Sequence, residues 1–275
     1  MGERLRCVEP GNRRVLFRGE APLIDSESVA EDRMESAEIR ALTYDVFGTV
    51  VDWRGGIARD ARALLGDEKG LSLDWNAFAI AFKERSKMAA SPEEAAARAE
   101  RSIRADDLNR DNLRKTLDAF GVAPDTLAPA EFDWLAKAWH RLDPWPDSVP
   151  GMTRLRTRYI LAAVSSGNVA LLVAMARRGG LPWDAILSAE VTGYYKPRPE
   201  AYLTAVDMLG LEPAQCLMVA SHNDDLRAAA ACGLRTAFIR RPAEDAEDRI
   251  EDARAAPGVD LAVENMVDLA ERLGC

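Results

Sequence analysis

From Gly151 onward the chain alternates short apolar runs with amphipathic stretches, and this alternation constrains its fold more than any other feature. YILAAVSS (159–166), AILSAE (185–190), CLMVAS (216–221) and RTAFIRR (235–241) read as strands. GNVALLVAMARRGG (167–180), RPEAYLTAVDMLG (198–210) and DDLRAAAACG (224–233) lie between them and read as helices, the first with a glycine stop. VDLAVEN (259–265) and MVDLAERLG (266–274) close the chain. Strands joined through helices run parallel, and such a sheet is covered on both faces.

One further strand, IRALTYDVF (39–47), stands apart from this series. Between it and Gly151 the pattern is helical from about Arg54 to Arg141. DWNAFAIAFKERSKM (74–88), SPEEAAARAERSIRADDLNRDNLRKTLDAFG (91–121) and AEFDWLAKAWHRL (130–142) are amphipathic at helical spacing. Ser91-Pro92-Glu93-Glu94 has the residues of a helix start, with Ser91 as N-cap and Pro92 in the first turn. DPWPDSVPG (143–151) is a rigid, proline-rich connection. The expected organisation is therefore an α/β core from residues 38–53 and 144–275 with an inserted helical cap, residues 54–143. Residues 1–37 show no sustained period and are expected to be a disordered leader, with Met34 as an alternative start of translation.

Charge and cysteine usage exclude several classes. Lys and Arg number 36 against 45 Asp and Glu, a net charge of −9. Such an acidic chain is poorly suited to nucleic acid, although a local cationic pocket could still take a small anionic substrate. The cysteines, Cys7, Cys216, Cys232 and Cys275, form no C-x-x-C pair, and there are only two histidines, so a structural zinc site is not expected. Scattered single cysteines fit a reducing cytoplasm. No apolar run approaches the ~20 residues that span a bilayer, which argues against a membrane partner. The first 33 residues contain no signal-peptide core.

The chemistry is concentrated at strand ends. In an open parallel sheet, ligands bind beyond the carboxyl ends of the strands. Asp45, followed by Gly48-Thr49, ends the first strand, and Ser165-Ser166-Gly167-Asn168 ends the second. Lys196 follows the third in VTGYYKPRPEAY, and Ser221-His222-Asn223-Asp224-Asp225 ends the fourth. One such ending means little, because Ser and Asp often cap helices there. Four in the order Asp, Ser, Lys, Asp are more specific. A buried Asp45 carboxylate also demands partners.

This order and spacing resemble the haloacid dehalogenase superfamily over residues 39–275. Its motifs correspond to Asp45-Val46-Phe47-Gly48-Thr49, Ser165, Lys196 and Asp224-Asp225. The resemblance implies a Rossmann-like core with an α-helical cap. It narrows at Phe47. Phosphatases of the superfamily carry an acid two residues after the nucleophile to protonate the leaving alcohol, and Phe47 cannot donate a proton. An aromatic there is similar to type II (S)-2-haloacid dehalogenases, whose leaving halide needs none. AWHRLDPWPD, the following Pro150-Gly151 and YKPRPEAY are also similar to that subgroup.

On this resemblance Asp45 is the nucleophile, Lys196 keeps it ionised and oriented, and Ser165 and Thr49 hydrogen-bond carboxylate oxygens. Asp225 orients Lys196 or the hydrolytic water, while Asp224 is a surface cap. Phe47, Ser166, Asn168, Tyr202 and His222 are expected to bind substrate, with Tyr202 near its carboxylate and His222 either activating water or lining the pocket. The superfamily position after Ser165 is commonly Asn, here Ser166, and the usual cap arginine is replaced by a choice between Lys83 and Arg85. His140 is expected to pack near the cap hinge. The implied reaction needs no cofactor or metal; Mg²⁺ belongs to the alternative, a phosphohydrolase of a small phosphorylated metabolite. A third reading, a scaffold whose cap binds a partner, leaves the Asp45/Ser165/Lys196/Asp225 set unexplained. A homodimer is the assembly considered.

Overall fold

The computed structural model describes residues 38–88, 105–241 and 254–275. Eight strands are present among them: β1 (Ala41–Tyr44), β2 (Val51–Asp52), β3 (Asp143–Pro144), β4 (Ile160–Ala163), β5 (Ala185–Ile186), β6 (Cys216–Ala220), β7 (Arg235–Ile239) and β8 (Leu261–Val263). Six of them form one parallel sheet in the order β5-β4-β1-β6-β7-β8. The chain passes from β1 to β4 on one side and later returns to β6 on the other. Strand order therefore reverses beside β1, which is where such sheets bind ligands.

Alternation along the strands sorts side chains onto two covered faces. Leu42, Tyr44, Leu217, Val219, Ala237 and Ile239 join one apolar cluster. Ala41, Cys216, Met218, Ala220 and Phe238 join another. β1 and β6 are buried along their whole length, as near-continuous apolar runs of parallel sheets are.

Ten α-helices are described: α1 (Trp53–Ala61), α2 (Trp75–Met88), α3 (Ala105–Ala119), α4 (Pro129–Ala136), α5 (Ser148–Leu155), α6 (Val169–Gly179), α7 (Ala189–Thr192), α8 (Pro199–Met208), α9 (Asn223–Ala231) and α10 (Met266–Arg272). α5 packs tightly on α10: a Cβ at Gly151 would lie 2.4 Å from the Met266 carbonyl oxygen, so only glycine fits. α1 to α4 are joined through the buried side chains of Ile57, Leu65, Phe78, Phe82, Leu113 and Leu135. None of the described helices is long and apolar enough to cross a membrane.

Two expectations change. The first strand is four residues, not nine, because the chain leaves the ladder and turns at Gly48–Val50; the Asp45 N–H still donates to the Val219 carbonyl at 3.0 Å, so the ladder holds the aspartate in line. Asp143 begins a strand and pairs with Asp52, so the two passages into and out of the helical block lie side by side. Asp52 itself caps α1, accepting from the Gly55 N–H at 2.8 Å. The leader and the Ser91 helix start lie outside the described residues.

Candidate active site

Asp45 sits one residue beyond β1 and is 7% exposed. The turn that follows needs Gly48 at φ +88°, a conformation that side chains disfavour. It folds Thr49 back so that its hydroxyl donates to Asp45 Oδ2 at 2.8 Å. The Ser221 N–H, at the end of β6, donates in turn to Thr49 Oγ1 at 2.9 Å. Neighbouring strand ends thus fix the carboxylate's orientation.

Lys196 reaches in from the loop before α8. Its Nζ donates to Asp45 Oδ1 at 2.8 Å and to Asp225 Oδ2 at 2.5 Å. His222 Nδ1 lies 3.1 Å from Asp45 Oδ2. Burial alone would neutralise Asp45, but Lys196 and His222 outweigh it and hold the carboxyl well below the usual range. Burial likewise opposes the Lys196 charge, yet Asp225 and Asp45 hold its ammonium above the ordinary lysine range. For Asp225, burial raises the carboxyl above its ordinary value, and the nearby Asp45 charge adds to this against the pull of Lys196.

These groups face a cavity of about 310 Å³ lined by Phe47, Lys83, Ser166, Lys196, Pro197, Tyr202, His222, Asp224 and Asp225. That is at the small end for ligand sites, which run from about 300 to 1,000 Å³. Phe47 forms one wall, edge-on to Trp139 with ring centroids 5.4 Å apart. Lys83, on α2, stands 3.8 Å above the Trp53 ring centroid and puts a cation opposite the strand ends. The Arg85 side chain lies outside the described residues.

Several expected roles shift. The Tyr202 hydroxyl donates to Asp225 Oδ1 at 2.5 Å, so its proton is committed to that carboxylate rather than to a substrate. Ser165 is buried and accepts from the Gly167 N–H at 3.2 Å; no hydrogen bond joins it to Asp45. Asn168 is not among the cavity's lining residues: its Nδ2 donates to Asp106 Oδ2 at 3.3 Å, across to α3. His140 bonds the same Asp106 at 2.8 Å. Asp224 is exposed at the start of α9, accepts from the Asp225 N–H at 3.0 Å and lines the cavity.

Sequence reasoning missed Arg241. It is 6% exposed, its Nε donates to the Thr49 carbonyl at 2.8 Å, and its Nη1 meets Asp147 Oδ1 at 2.8 Å. Trp145 Nε1 donates to the Gly48 carbonyl at 2.8 Å, clamping the same turn. The signal was available, since Arg241 follows the end of β7 just as the other site residues follow their strands. Arg241→Ala orphans a buried carbonyl and takes the cation from the Asp147 carboxylate, which keeps the Met266 N–H. It is expected to cost about 2–3 kcal/mol, read as a lower urea midpoint.

The donor set does not fit a hard cation. Both Asp45 oxygens are engaged by Lys196, Thr49 and His222, whereas Mg²⁺ takes oxygen ligands in near-ideal octahedral geometry. Among the described residues no three His, Cys, Asp or Glu side chains are grouped to hold a metal.

A parallel sheet carrying a lysine-held aspartate at its switch point defines an α/β protein with hydrolase-type architecture. The chain belongs to the haloacid dehalogenase-like hydrolases, whose family model matches residues 39–233. It is similar to the crystal structure of a defluorinating L-2-haloacid dehalogenase, with a TM-score of 0.78 and 38% identity over 86% of this chain and 96% of the other. A second L-2-haloacid dehalogenase structure gives 0.77 and 38%, over 86% and 98%. The (S)-2-haloacid dehalogenase of Xanthobacter autotrophicus is 28% identical over 76% of this chain and 78% of its own length.

Proposed function

We propose that this protein hydrolyses the carbon–halogen bond of short 2-haloalkanoic acids, giving the 2-hydroxy acid and halide through an ester on Asp45. The observation that carries this reading is the Asp45 carboxylate, kept ionised by Lys196 and His222 beside the proton-free wall of Phe47. The similarity to L-2-haloacid dehalogenases at 38% identity supports it. In the first step an Asp45 oxygen attacks C2, a C–O bond forms, and the C–halogen bond breaks with its electron pair leaving on the halide. In the second, water attacks Asp45 Cγ, the acyl C–O bond breaks, and the 2-hydroxy acid leaves carrying an oxygen from the protein. The two steps release one proton overall, and C2 is inverted.

Lys196 and Thr49 orient the nucleophile, with Asp225 and Tyr202 positioning Lys196 from behind. His222, beside Asp45 Oδ2, is placed to take a proton from the attacking water. The Ser165 hydroxyl is free to turn its proton toward a substrate oxygen, and Asn168 acts through Asp106 to hold the helical block against the sheet. Ser166 and Phe47 form the halide wall with Lys83. The domain reading follows: residues 54–143 form a cap over a core of 38–53 and 144–275, hinged at the β2–β3 ribbon. The remaining expectations are a cytoplasmic enzyme, a homodimeric assembly, and small anions rather than nucleic acid or membrane as partners.

Halide release from chloro-, bromo- and fluoroacetate, with and without EDTA, tests the reading. Release that EDTA leaves unchanged is expected, because no step uses a cation. The defluorinating relative extends the expected substrates to fluoroacetate. Activity lost to EDTA and restored by Mg²⁺, or phosphate release from phosphorylated metabolites instead of halide release, would move the assignment to a phosphohydrolase.

A further inference from the structure

Three successive carbonyls in the turn after Asp45 are each held by a group from a distant part of the chain. Trp145 Nε1 donates to the Gly48 carbonyl at 2.8 Å, and Arg241 Nε donates to the Thr49 carbonyl at 2.8 Å. The Val50 carbonyl accepts from the Ser148 hydroxyl at 2.7 Å and from the Trp145 N–H at 3.0 Å. The donors are themselves joined. The Arg241 guanidinium lies 5.7 Å from the centroid of the Trp145 ring, and its Nη1 bonds Asp147 at 2.8 Å.

This arrangement bears on one side chain, Thr49. A peptide unit is planar, so a hydrogen bond to its carbonyl fixes how the whole unit is turned. Trp145 pins the unit before the Thr49 Cα. Arg241 pins the unit after it, where the Val50 N–H also donates to the Val46 carbonyl at 2.9 Å. With both units pinned, the two backbone dihedrals of Thr49 are set, and with them the direction of its Cβ. That direction delivers the Thr49 hydroxyl to Asp45 Oδ2 at 2.8 Å. Gly48 is what makes the Trp145 bond necessary. Its φ of +88° suits glycine, but glycine is also the residue that turns most freely, so the Gly48–Thr49 peptide needs an outside donor to stay in place.

We propose that Trp145 is a positioning residue for the nucleophile. Its indole N–H fixes the Gly48–Thr49 peptide, which aims the Thr49 hydroxyl and so sets the rotation of the Asp45 carboxylate. Trp145 is not among the residues that line the cavity, and it acts through the turn alone. The inference rests on the dehalogenase reading for the rate it affects, whereas the geometry it controls is a property of the free protein.

Two variants separate hydrogen bonding from packing. Trp145→Phe keeps an aromatic ring and removes the N–H. Trp145→His gives up the larger ring but keeps a donor, since Nε2 can take the place of the indole Nε1 on the five-membered ring. Packing therefore ranks Phe above His, and hydrogen bonding ranks His above Phe. Halide release from 2-chloropropionate is measured at about pH 8.5, well above the ordinary histidine value of ~6.5, and well below the thermal midpoint of either variant. Trp145→Phe is expected to lower kcat about ten- to hundredfold with KM little changed, because a misaimed nucleophile costs rate rather than binding. Trp145→His is expected to recover most of that loss. In crystal structures of the variants, the contact between the Thr49 hydroxyl and Asp45 should lengthen past the ~3.0 Å limit of an O–H···O bond in Trp145→Phe and stay within it in Trp145→His. An unchanged kcat in Trp145→Phe, a lower kcat in Trp145→His than in Trp145→Phe, or a Thr49–Asp45 contact that keeps its length in Trp145→Phe would each overturn the proposal. If the wild type itself releases no halide, the dehalogenase reading fails, and the Thr49–Asp45 contacts in the two variants still decide the role of Trp145.

Discussion

Asp45→Asn is expected to abolish halide release to the limit of detection while leaving the fold intact. The amide is isosteric and still accepts the Thr49 hydroxyl or the Lys196 ammonium, contacts of 2.8 Å in the wild type. What it lacks is the anionic oxygen that attacks C2. The same residue allows a sharper test with the wild-type protein. If Asp45 forms an ester, water enters at its Cγ and not at the substrate carbon. A single turnover in H₂¹⁸O, with enzyme in excess, should therefore label Asp45 and leave the product hydroxyl unlabelled. Mass spectrometry of the peptide containing Asp45 reads this directly. Label in the first-turnover product, with none in the protein, would show Asp45 to be a base activating water, and would overturn the two-step mechanism even with dehalogenation confirmed.

Lys196→Ala should cost on the order of 10³-fold or more in kcat/KM, and its pH profile should change with a definite sign. In the wild type the ammonium holds Asp45 ionised against the opposing effect of burial. Remove it, and burial together with the Asp225 charge raises the Asp45 carboxyl against the remaining pull of His222. More of Asp45 is then protonated, and the nucleophilic fraction grows as pH increases. Residual activity should climb about tenfold per pH unit below the new midpoint. The wild-type rate should show no such dependence on Asp45 anywhere above pH 4, because the folded carboxyl titrates far below that. A residual rate independent of pH would mean that Lys196 acts on substrate rather than on Asp45. The variant also leaves Asp45 and Asp225 without their shared cation. A loss of up to about 3–5 kcal/mol is expected, softened because the carboxyls can take up protons. Lower pH should then partly restore its stability, the opposite trend to its activity.

Strand–helix alternation is a local property, written in side-chain periodicity, and it determined the parallel sheet and the helical block from sequence alone. The polar endings at Asp45, Ser165, Lys196 and Asp225 were legible for the same reason: whatever follows a parallel strand lies on one edge of the sheet. Phe47 was legible as chemistry, since a phenyl ring cannot donate a proton wherever it points. Pairing between distant side chains was not local, and only the tertiary structure decided it. Lys196 meets Asp45 across 151 positions and Asp225 across 29, and its two short contacts depend on how the loop before α8 and the start of α9 converge. The same convergence turned Tyr202 toward Asp225 and brought Asp224 to the cavity mouth. Asn168 lies at the right strand end but bonds Asp106 of α3, because the helical block folds down on it. Arg241 followed the strand-end rule, but only packing made it a clamp on Thr49, by setting its Nε against the Thr49 carbonyl and its Nη1 against Asp147.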